Sequence, residues 1–303
     1  MRILVTGASG FIGTHLCKSL LSRNHRVIGM GRSAAKSRID HDGYRFIAAD
    51  TTRPGRWQQN LSEIDAVINL AGRSIFGRWT EAVKNEIRES RILTTRHLVQ
   101  GLTEQRGTTF ISASGVGFYG SRGDDILTEN EPAGEDFLAR LSVDWEAEAR
   151  IAAEKGARVV LTRLGVVLGA GGGALAQMIP AFKRFVGGPI GSGRQWFPWI
   201  HLEDLIAAVH FVLEHPDISG PVNLCAPAPV LNRDLAAALG KVLNRPAFMP
   251  APAFVIRMVL GEFAEVLLAS QRAIPQNLQE HRFAFHYPDI EAALQAVVRA
   301  AAA

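Results

Sequence analysis

A glycine-rich loop near the start of the chain constrains the fold more than any other feature of the sequence. Residues 2–6 form a short apolar segment, Gly7, Gly10 and Gly13 follow at three-residue spacing, and an amphipathic stretch then runs to about Arg23. In such a strand–loop–helix unit the first glycine makes a sharp turn, the second lets backbone N–H groups approach a pyrophosphate, and the third lets the helix pack on the sheet. We therefore expect a dinucleotide here. The residues expected to contact it are Gly7, Ser9, Gly10, Phe11, Ile12 and Gly13.

Short apolar segments alternate with helix-like segments along most of the chain. The apolar segments lie at residues 26–30, 44–48, 66–70, 109–112 and 158–164, and the clearest helix-like segments at 80–102 and 138–155. Near-continuous apolar strands that alternate with helices are typical of a parallel sheet covered on both faces. The sequence therefore predicts an α/β fold: a Rossmann-type doubly wound parallel sheet with a smaller, interleaved and mostly helical substrate lobe.

The character of the sequence changes after Arg163. Residues 169–199 are rich in glycine and aromatic residues, which is typical of loops that line a binding site. From Asn232 onward the pattern is mostly helical. We assign residues 1–165 to the dinucleotide-binding domain, with 200–225 returning to it, and residues 166–199 and 226–303 to the substrate lobe.

The end of the second predicted strand carries basic residues where many dinucleotide-binding folds carry an acid. An Asp or Glu there binds the ribose diol of NAD, and a nearby Arg accommodates the 2′-phosphate of NADP. This sequence instead has Arg32 and Ser33, with Lys36 and Arg38 close behind, and residues 1–39 contain seven basic and no acidic side chains. Because Arg and Ser side chains both donate hydrogen bonds to phosphate, we expect NADP(H) to be favoured over NAD(H). A solvated basic helix face is the alternative explanation of the charge.

Two further segments that follow predicted strands are expected at the cofactor. Asp50 and Thr51 follow the third strand, where such folds contact the adenine, although an N-terminal helix cap explains this pair nearly as well. Leu70, Ala71 and Gly72 end the fourth strand and would lie under the pyrophosphate and ribose.

Composition argues against several other classes of protein. Of the 303 residues, 47% are hydrophobic and 20% charged, which is typical of a globular protein. The two cysteines have no zinc-type spacing, so no metal site is expected. The basic residues cluster in one short segment and we find no nucleic-acid recognition module, so we expect a small anionic ligand and no nucleic-acid partner. We find no signal-peptide or membrane-span pattern, and expect a cytoplasmic protein with no membrane partner.

Together these motifs resemble the extended short-chain dehydrogenase/reductase superfamily, which contains the nucleotide-sugar epimerases. More narrowly, the chain resembles NAD-dependent epimerase-family proteins of the SulA-like subgroup, and residues of about 246–298 resemble the extra C-terminal domain of that subgroup. The matching segments cover residues 5–13, 67–72, 79–91, 112–120, 163–173 and 188–201. The resemblance implies further cofactor contacts from Glu86, Arg91, Ser112, Gly165 and Val166. For Arg91, pairing with a surface carboxylate is the alternative.

The catalytic motif of that superfamily is incomplete in this chain. The resemblance implies a Ser or Thr, a Tyr that acts as acid or base, and a Lys four residues later that lowers the pKa of the phenol. Ser114 or Ser112 suits the first role. None of the three tyrosines, Tyr44, Tyr119 and Tyr287, has a lysine four residues later.

The segment expected to carry the Tyr/Lys pair has other residues in its place. Arg140 occupies the expected Tyr position and Asp144 the expected Lys position. Arginine stays protonated and aspartate ordinarily stays ionised near neutral pH, so neither is a poised acid. We therefore take Ser114 and Tyr119 as the candidate catalytic residues. A Tyr119 packed under its loop with a hydrogen-bonded hydroxyl is the alternative.

Two hypotheses about function follow from these residues. An NADP(H)-binding oxidoreductase or epimerase-like enzyme would act on a small polar substrate between the lobes, where Trp196, Phe197 and Trp199 could stack on it. A cofactor-binding protein with a regulatory or redox-sensing role and little catalysis agrees better with the missing Tyr/Lys pair. The intact cofactor loops favour the enzyme, and the sequence leaves its substrate and oligomeric state open.

Overall fold

The computed structural model describes residues 1–34, 39–104 and 107–302. Its strands are β1 (Arg2–Thr6), β2 (Arg26–Gly31), β3 (Tyr44–Ala48), β4 (Ala66–Asn69), β5 (Thr109–Gly115), β6 (Ile126–Leu127), β7 (Arg158–Leu164), β8 (Val166–Leu168), β9 (Trp196–Phe197), β10 (Trp199–His201), β11 (Gly220–Leu224), β12 (Val230–Leu231) and β13 (Arg272–Ala273). Its α-helices are α1 (Phe11–Ser22), α2 (Glu81–Gly101), α3 (Phe137–Arg150), α4 (Gly173–Lys183), α5 (Leu202–Glu214), α6 (Asn232–Leu243), α7 (Ala253–Leu260), α8 (Phe263–Leu268), α9 (Gln276–Glu280) and α10 (Ile290–Ala302).

Within the described ranges, seven strands form one parallel sheet in the order β11-β7-β5-β4-β1-β2-β3. The connections run outward in opposite directions from β1 and β4, so the strand order reverses between these two neighbours. Open α/β sheets bind ligands outside the carboxyl ends of the strands at such a point. The predicted Rossmann-type doubly wound sheet is confirmed.

Helices cover both faces of this sheet because successive side chains of each strand point to opposite sides. On β1, Ile3 and Val5 pack in the same cluster as residues of α1 and α5. Leu4, between them, packs in a second cluster with residues of α2 and the end of α3. On β4, Ile68 joins the first cluster and Val67 the second. Strands that are apolar at every position therefore reflect burial on both sides.

The smaller lobe is formed mainly by segments that follow β7, together with β6, which precedes it. Strand β8 pairs with β10, β9 with β12, and β6 with β13, whereas β11 returns to the main sheet beside β7. Helix α4 lies inside the segment that the sequence suggested would form loops. The core of the lobe includes Leu175, Phe182, Trp199, Leu239 and Leu294.

None of the helices in the described part of the chain is both long and apolar enough to cross a membrane.

Candidate functional site

The glycine loop makes two close backbone contacts that leave no room for side chains. Gly7 has a φ of +67°, and a Cβ on it would lie 2.8 Å from the carbonyl oxygen of Leu70. A Cβ on Gly13 would lie 2.9 Å from Cα of Ala8. The N–H of Gly10 donates to the carbonyl of Gly7 at 2.9 Å, which closes the turn. The loop therefore has the turn and the close helix–strand approach that the sequence predicted for a phosphate-binding loop.

Helix α1 begins with an N-terminus open to an anion. Gly10 is its N-cap, and among the described residues no side chain caps this end and no acidic residue lies in the first turn. The first-turn N–H groups and the positive end of the helix dipole are therefore directed at the loop. Of the loop residues, Gly10 is exposed, and Ser9, Phe11 and Ile12 are half-buried.

The Phe11 ring connects the glycine loop to the substrate lobe. It packs against the loop that leads into α4, where a Cβ on Gly169 would lie 2.8 Å from it and a Cβ on Gly172 would overlap it. A Cβ on Gly173 would lie 3.1 Å from the same ring. The position of α4 is therefore coupled to the first turn of α1.

A buried polar network holds the end of β4 beside the glycine loop. The backbone N–H groups of Leu70 and Ala71 both donate to Thr6 Oγ1 at 3.2 Å, and that hydroxyl donates to Asn69 Oδ1 at 2.7 Å. The Asn69 amide donates to Thr95 at 2.8 Å and to Ser112 Oγ at 3.4 Å. Sequence analysis missed Thr6 and Asn69, although an asparagine inside an apolar strand is a recognisable signal. Ser112 is buried within this network.

The Arg91 guanidinium lies directly behind Gly72. A Cβ on Gly72 would be 3.0 Å from Cζ of Arg91, and Nη1 of Arg91 donates to the carbonyls of Arg73 and Ile87 at 3.0 Å. Burial lowers the pKa of Arg91 to about 10, and no carboxylate in the described residues pairs with it. An enclosed guanidinium without a counter-ion is unfavourable, which suits a site for an anionic ligand.

Glu86 has a different partner from the one the resemblance implied. Its carboxylate forms an ion pair with Arg73 and is largely exposed. A surface carboxylate pairing of the kind considered for Arg91 is thus formed by Arg73 instead.

Arg32 and Asp50 lie together beyond the ends of β2 and β3. Arg32 is exposed and Ser33 half-buried, and Lys36 and Arg38 lie outside the described residues. A hydrogen bond from the Thr52 hydroxyl, together with the charges of Arg53 and Arg32, holds the pKa of Asp50 below its usual value. The Asp50 side chain therefore stabilises its own turn. It is not the helix cap considered as the alternative, because the next helix is the 3-10 helix Arg56–Leu61, whose N-cap is Gly55.

Thr51 points away from the cofactor edge. Its hydroxyl lies 2.9 Å from that of Thr94 on α2, and its carbonyl lies 3.2 Å from Nδ1 of His97. The Thr51 side chain is thus buried and connects the end of β3 to α2. Any contact between Thr51 and an adenine therefore has to come from the Thr51 backbone.

Gly165 and Val166 have their backbone N–H groups engaged. Gly165 donates to the carbonyl of Leu224 at 2.9 Å and Val166 to that of Pro198 at 2.8 Å. A Cβ on Gly165 would lie 3.2 Å from Cβ of Cys225. This glycine lets β7 pass into β8 against the neighbouring strands, and neither residue offers a free donor to a cofactor.

Ser114 forms part of a buried ion-pair network. Its hydroxyl donates to Glu146 Oε1 at 2.8 Å. Both carboxylate oxygens of Glu146 accept from Arg163, at 2.9 and 3.0 Å. The Arg163 side chain stacks on Phe118, with Cζ 3.5 Å from the ring centre. The sequence did not reveal Glu146 and Arg163 as a pair.

Tyr119 is a core residue, which corrects its assignment as a candidate catalytic acid. Its side chain is 0% exposed; its hydroxyl donates to Asn223 at 2.7 Å and accepts from Arg163 at 3.0 Å. Burial raises the pKa of this phenol to about 12. A phenol without solvent access and with both hydrogen-bonding directions used cannot reach a substrate, so the packed-phenol alternative describes it.

The face of α3 that meets the sheet carries neither Arg140 nor Asp144. Arg140 is exposed and donates to the carbonyl of Glu135, and Asp144 pairs with Arg88 on α2. Leu138 lies two turns and Ser142 one turn before Glu146, on the same side of α3. Leu138 packs on the cluster that contains Ala113 of β5, and its Cβ lies 3.2 Å from the place of a Cβ on Gly117, just after β5. The Ser142 side chain is buried.

The three aromatic residues proposed to stack on a substrate differ in exposure. Trp199 is fully buried and donates from its indole N–H to the carbonyl of Ala228 at 3.1 Å, so it cannot reach a substrate. Trp196 is half-buried; its indole N–H donates to Asp124 at 2.8 Å, and the Arg272 guanidinium lies 4.5 Å from its ring centre. Phe197 packs at the edge of the lobe core.

The sheet order, the glycine loop and the lobe after β7 define this chain as an extended Rossmann-fold protein. The chain belongs to the NAD dependent epimerase/dehydratase family, whose model matches residues 3–225. A second model, described as a domain of unknown function (DUF1731), matches residues 251–297. The resemblance stated from the sequence, including an extra C-terminal segment, is confirmed.

Relatives match nearly the whole chain. It is 40% identical to the epimerase family protein SDR39U1 homolog, chloroplastic, of Arabidopsis thaliana, over 99% of this chain and 87% of the relative. The epimerase family protein YfhF of Bacillus subtilis is 38% identical, over 98% of each protein.

Solved structures show the same fold. Human epimerase family protein SDR39U1 (isoform 2), determined with NADPH, superposes with a TM-score of 0.86 and 34% identity over 99% of both chains. A UDP-glucuronic acid 4-epimerase from Bacillus cereus, 19% identical, superposes with a TM-score of 0.81 over 99% of this chain and 98% of its own.

Proposed function

We propose that this chain is an NADP(H)-dependent oxidoreductase or epimerase-like enzyme. One observation carries the proposal: the uncapped, acid-free N-terminus of α1 lies behind the glycine loop, and the Arg91 guanidinium, with no carboxylate partner in the described residues, lies behind Gly72. Both features favour an anion at the carboxyl ends of β1 and β4, where this fold class binds the pyrophosphate of a dinucleotide.

Two further observations support NADP(H) over NAD(H). Arg32 is exposed just beyond β2, where a guanidinium can bind a 2′-phosphate in bidentate fashion, and half-buried Ser33 adds a hydroxyl donor. The human relative of 34% identity was determined with NADPH. The 19% identical epimerase of Bacillus cereus, determined with NAD, supports only the fold.

The roles of this chain's residues follow from their positions. The N–H groups at the start of α1 and the Arg91 guanidinium hold the pyrophosphate, and Thr6 and Asn69 fix the backbone of Leu70 and Ala71 beneath it. A bound nicotinamide supplies or accepts a hydride at its C4 atom. On the side of α3 that carries Glu146, Leu138 and Ser142 offer neither a phenol nor an amine.

The test is a titration of the protein with cofactors and with their adenosine halves. NADPH should bind more tightly than NADH, and adenosine 2′,5′-bisphosphate should displace NADPH more effectively than adenosine 5′-monophosphate, because only the former carries the 2′-phosphate. Binding is followed by calorimetry. Absence of NADPH binding at millimolar concentration would contradict the proposal, and equal displacement by the two halves would contradict the role of Arg32.

A second function is favoured by the buried state of Tyr119. With this phenol in the core and a leucine and a serine on the α3 face, the chain has the features of a cofactor-binding regulatory or redox-sensing protein with little catalysis. The two functions differ in one measurement. An enzyme oxidises bound NADPH when a suitable acceptor is added, and a regulatory protein binds NADPH with no acceptor-dependent oxidation.

A further inference from the structure

The large hydrophobic side chains that are exposed to solvent are concentrated at one place on the smaller lobe. Twelve such side chains are exposed in the described ranges, and seven of them lie in residues 185–186 and 248–259. Exposed apolar side chains that occur singly are normal, whereas a contiguous group marks a site of interaction. The seven, which we call the apolar patch, are Phe185, Val186, Phe248, Met249, Phe254, Met258 and Val259.

The two segments of the apolar patch lie side by side. The backbone N–H of Met249 donates to the carbonyl of Gly187 at 3.3 Å, and the Arg245 guanidinium lies 4.8 Å from the centre of the Phe185 ring. Helix α7 follows a few residues after Met249, and Ile256 is its one buried residue. The remaining apolar side chains of α7 therefore extend the same surface.

Phe185 occupies a backbone position that normally belongs to glycine. It follows Arg184, the C-cap of α4, and has a φ of +62°. Its N–H donates to the carbonyl of Phe182 at 2.9 Å, and the N–H of Val186 donates to that of Ala181 at 3.0 Å. These two bonds define a Schellman motif, whose left-handed residue is usually glycine because a bulky side chain is strained there. The chain thus places an aromatic residue that is 57% exposed at a strained position, which indicates a role outside the fold.

Basic residues accompany the apolar patch. Residues 183–194 and 241–261 contain six Lys and Arg and no Asp or Glu. Lys241 and Arg257 pair with carboxylates of other segments. Lys183, Arg184 and Arg245 are exposed, and no carboxylate in the part of the chain that the structure describes pairs with them. The surface therefore combines protruding aromatic and aliphatic side chains with uncompensated positive charge.

We propose that the apolar patch binds the surface of an anionic lipid bilayer. Apolar side chains enter the boundary between headgroups and acyl chains, Lys and Arg bind the anionic headgroups, and the two contributions together give stable attachment. A second copy of the chain fits this surface less well, because a symmetric pair would bring the same basic residues against each other.

This partner differs from the sequence-based expectation of no membrane partner. That expectation rested on the lack of a membrane-span pattern, and attachment to the bilayer surface needs no spanning helix. The proposal is also independent of the cofactor assignment, because none of the patch residues belongs to the glycine loop or the end of β4.

The first experiment measures co-sedimentation of the full chain with lipid vesicles. Vesicles of phosphatidylcholine alone are compared with an equimolar mixture of phosphatidylcholine and phosphatidylglycerol. We expect at least about tenfold tighter binding to the anionic vesicles, and weaker binding at high salt. Lys183→Gln combined with Arg184→Gln should weaken that binding at least about tenfold. Lys18→Gln combined with Arg26→Gln removes the same charge from exposed positions of the dinucleotide-binding domain and should leave binding unchanged.

Phe185→Gly separates the effect on binding from any effect on folding. Glycine adopts a φ of +62° without strain, so this variant should unfold at the same urea concentration as the parent or at a higher one. Its binding to anionic vesicles should nevertheless be at least about threefold weaker, because an inserted ring is lost. The matched control is Val143→Ser, which removes an apolar side chain that is 42% exposed on α3 and should leave vesicle binding unchanged.

A fluorescence experiment tests whether the apolar patch reaches the acyl chains. Phe254 is 70% exposed on α7, so Phe254→Trp places a reporter at the patch, whereas the tryptophans of the parent are buried or half-buried. Anionic vesicles with brominated acyl chains should quench the fluorescence of Phe254→Trp more than that of the parent. Val143→Trp is the control and should show no added quenching.

The contrary outcomes are equally definite. Failure to bind anionic vesicles would overturn the proposal, and so would equal weakening in the patch variants and their controls. Binding without added quenching of Phe254→Trp would show adsorption of charge alone and no insertion of the patch. A dimer seen by sedimentation velocity without lipid, and converted to monomers by Phe185→Gly, would assign this surface to a second copy of the chain instead.

Discussion

The Cζ atom of Arg91 lies 3.0 Å from the place that a Cβ on Gly72 would occupy. A side chain at position 72 would therefore displace the guanidinium, and a glycine there brings the charge close to the backbone at the carboxyl end of β4. In the described residues the guanidinium has carbonyl acceptors and no carboxylate. This combination makes a positive charge without a counter-ion available to a ligand at the carboxyl end of β4.

Replacement of Arg91 by methionine should weaken NADPH binding by roughly 10- to 100-fold, the value of one charge-assisted hydrogen-bond pair. Methionine keeps the length and apolar volume of the side-chain stem. Arg88→Met is the control, because Arg88 lies one turn earlier and forms a surface ion pair with Asp144. Calorimetric titration of both variants measures the effect, and equal weakening in the two would show that Arg91 is not a ligand.

Replacement of Arg32 by alanine should remove most of the preference for NADPH over NADH. In the parent protein we expect that preference to be on the order of 1–3 kcal/mol, because a guanidinium and a hydroxyl can bind the 2′-phosphate. NADH affinity should change little. Arg26→Ala, at the opposite end of β2, is the matched control. A parent protein that binds both cofactors equally would contradict the assignment.

Substitutions at Gly10 should reduce cofactor affinity in proportion to side-chain size. A Cβ there would lie 3.1 Å from the carbonyl oxygen of Gly7, and the position is exposed at the start of α1. Gly10→Ala should therefore weaken NADPH binding and Gly10→Val abolish it, with the fold retained because the backbone φ of −81° suits any residue. Circular dichroism checks the fold. Wild-type NADPH affinity in the valine variant would show that the loop is a simple turn and does not contact the cofactor.

The fold could be predicted closely because burial on both faces of a parallel sheet leaves a visible pattern. The apolar segment 158–164 coincides with β7, and the helix expected over 80–102 is α2, Glu81–Gly101. The helix expected over 138–155 ends as α-helix at Arg150 and continues as a 3-10 turn to Lys155, before Gly156 with its φ of +78°. Composition predicted loops across residues 169–199, but the apolar stretch inside them folds as α4 against the lobe core.

The candidate site was predictable only where its residues are close in sequence. The glycine loop is such a case. Tyr119 is held by Arg163 and Asn223, which are 44 and 104 residues away, so its burial depends on contacts that no local pattern records. For a related reason, the sequence did not show which side of α3 faces the sheet. Two glutamates of this segment lie two residues apart, and only the hydrogen bond from Ser114 shows that Glu146 faces the sheet.

Tyr119→Phe should destabilise the protein without affecting cofactor binding. The change leaves Asn223 Oδ1 without its donor and removes one acceptor of Arg163, which costs roughly 1–3 kcal/mol for buried partners. Urea denaturation measures this change in the free energy of unfolding. Tyr287→Phe is the control, because that hydroxyl makes one exposed hydrogen bond, to Glu203, and should cost less than about 0.5 kcal/mol. A stable Tyr119→Phe variant with reduced turnover would restore Tyr119 as a catalytic residue.

His210 should make the protein less stable in mild acid. Burial, together with the charge of Arg23, lowers its pKa to about 4, and its ring lies 2.9 Å from the Ser19 hydroxyl. In the unfolded chain a histidine has a pKa of about 6.5. Between these two values the unfolded state binds a proton that the folded state does not, so the contribution of His210 is complete above pH 6.5 and is lost as pH falls towards 4. The loss is at most about 3 kcal/mol.

The neighbouring groups and a conservative variant make this pH dependence testable. The His25 ring stacks on His210 at 6.4 Å and also lowers its pKa, whereas Glu214 raises it. His210→Gln can still hydrogen-bond to Ser19 but cannot titrate, so its free energy of unfolding should fall less than that of the parent between pH 6.5 and 4.5. His41→Gln, at an exposed position, should behave like the parent. Urea denaturation at the two pH values gives the free energy of unfolding of each variant. An identical pH dependence in the parent and in His210→Gln would show that other groups cause the acid sensitivity.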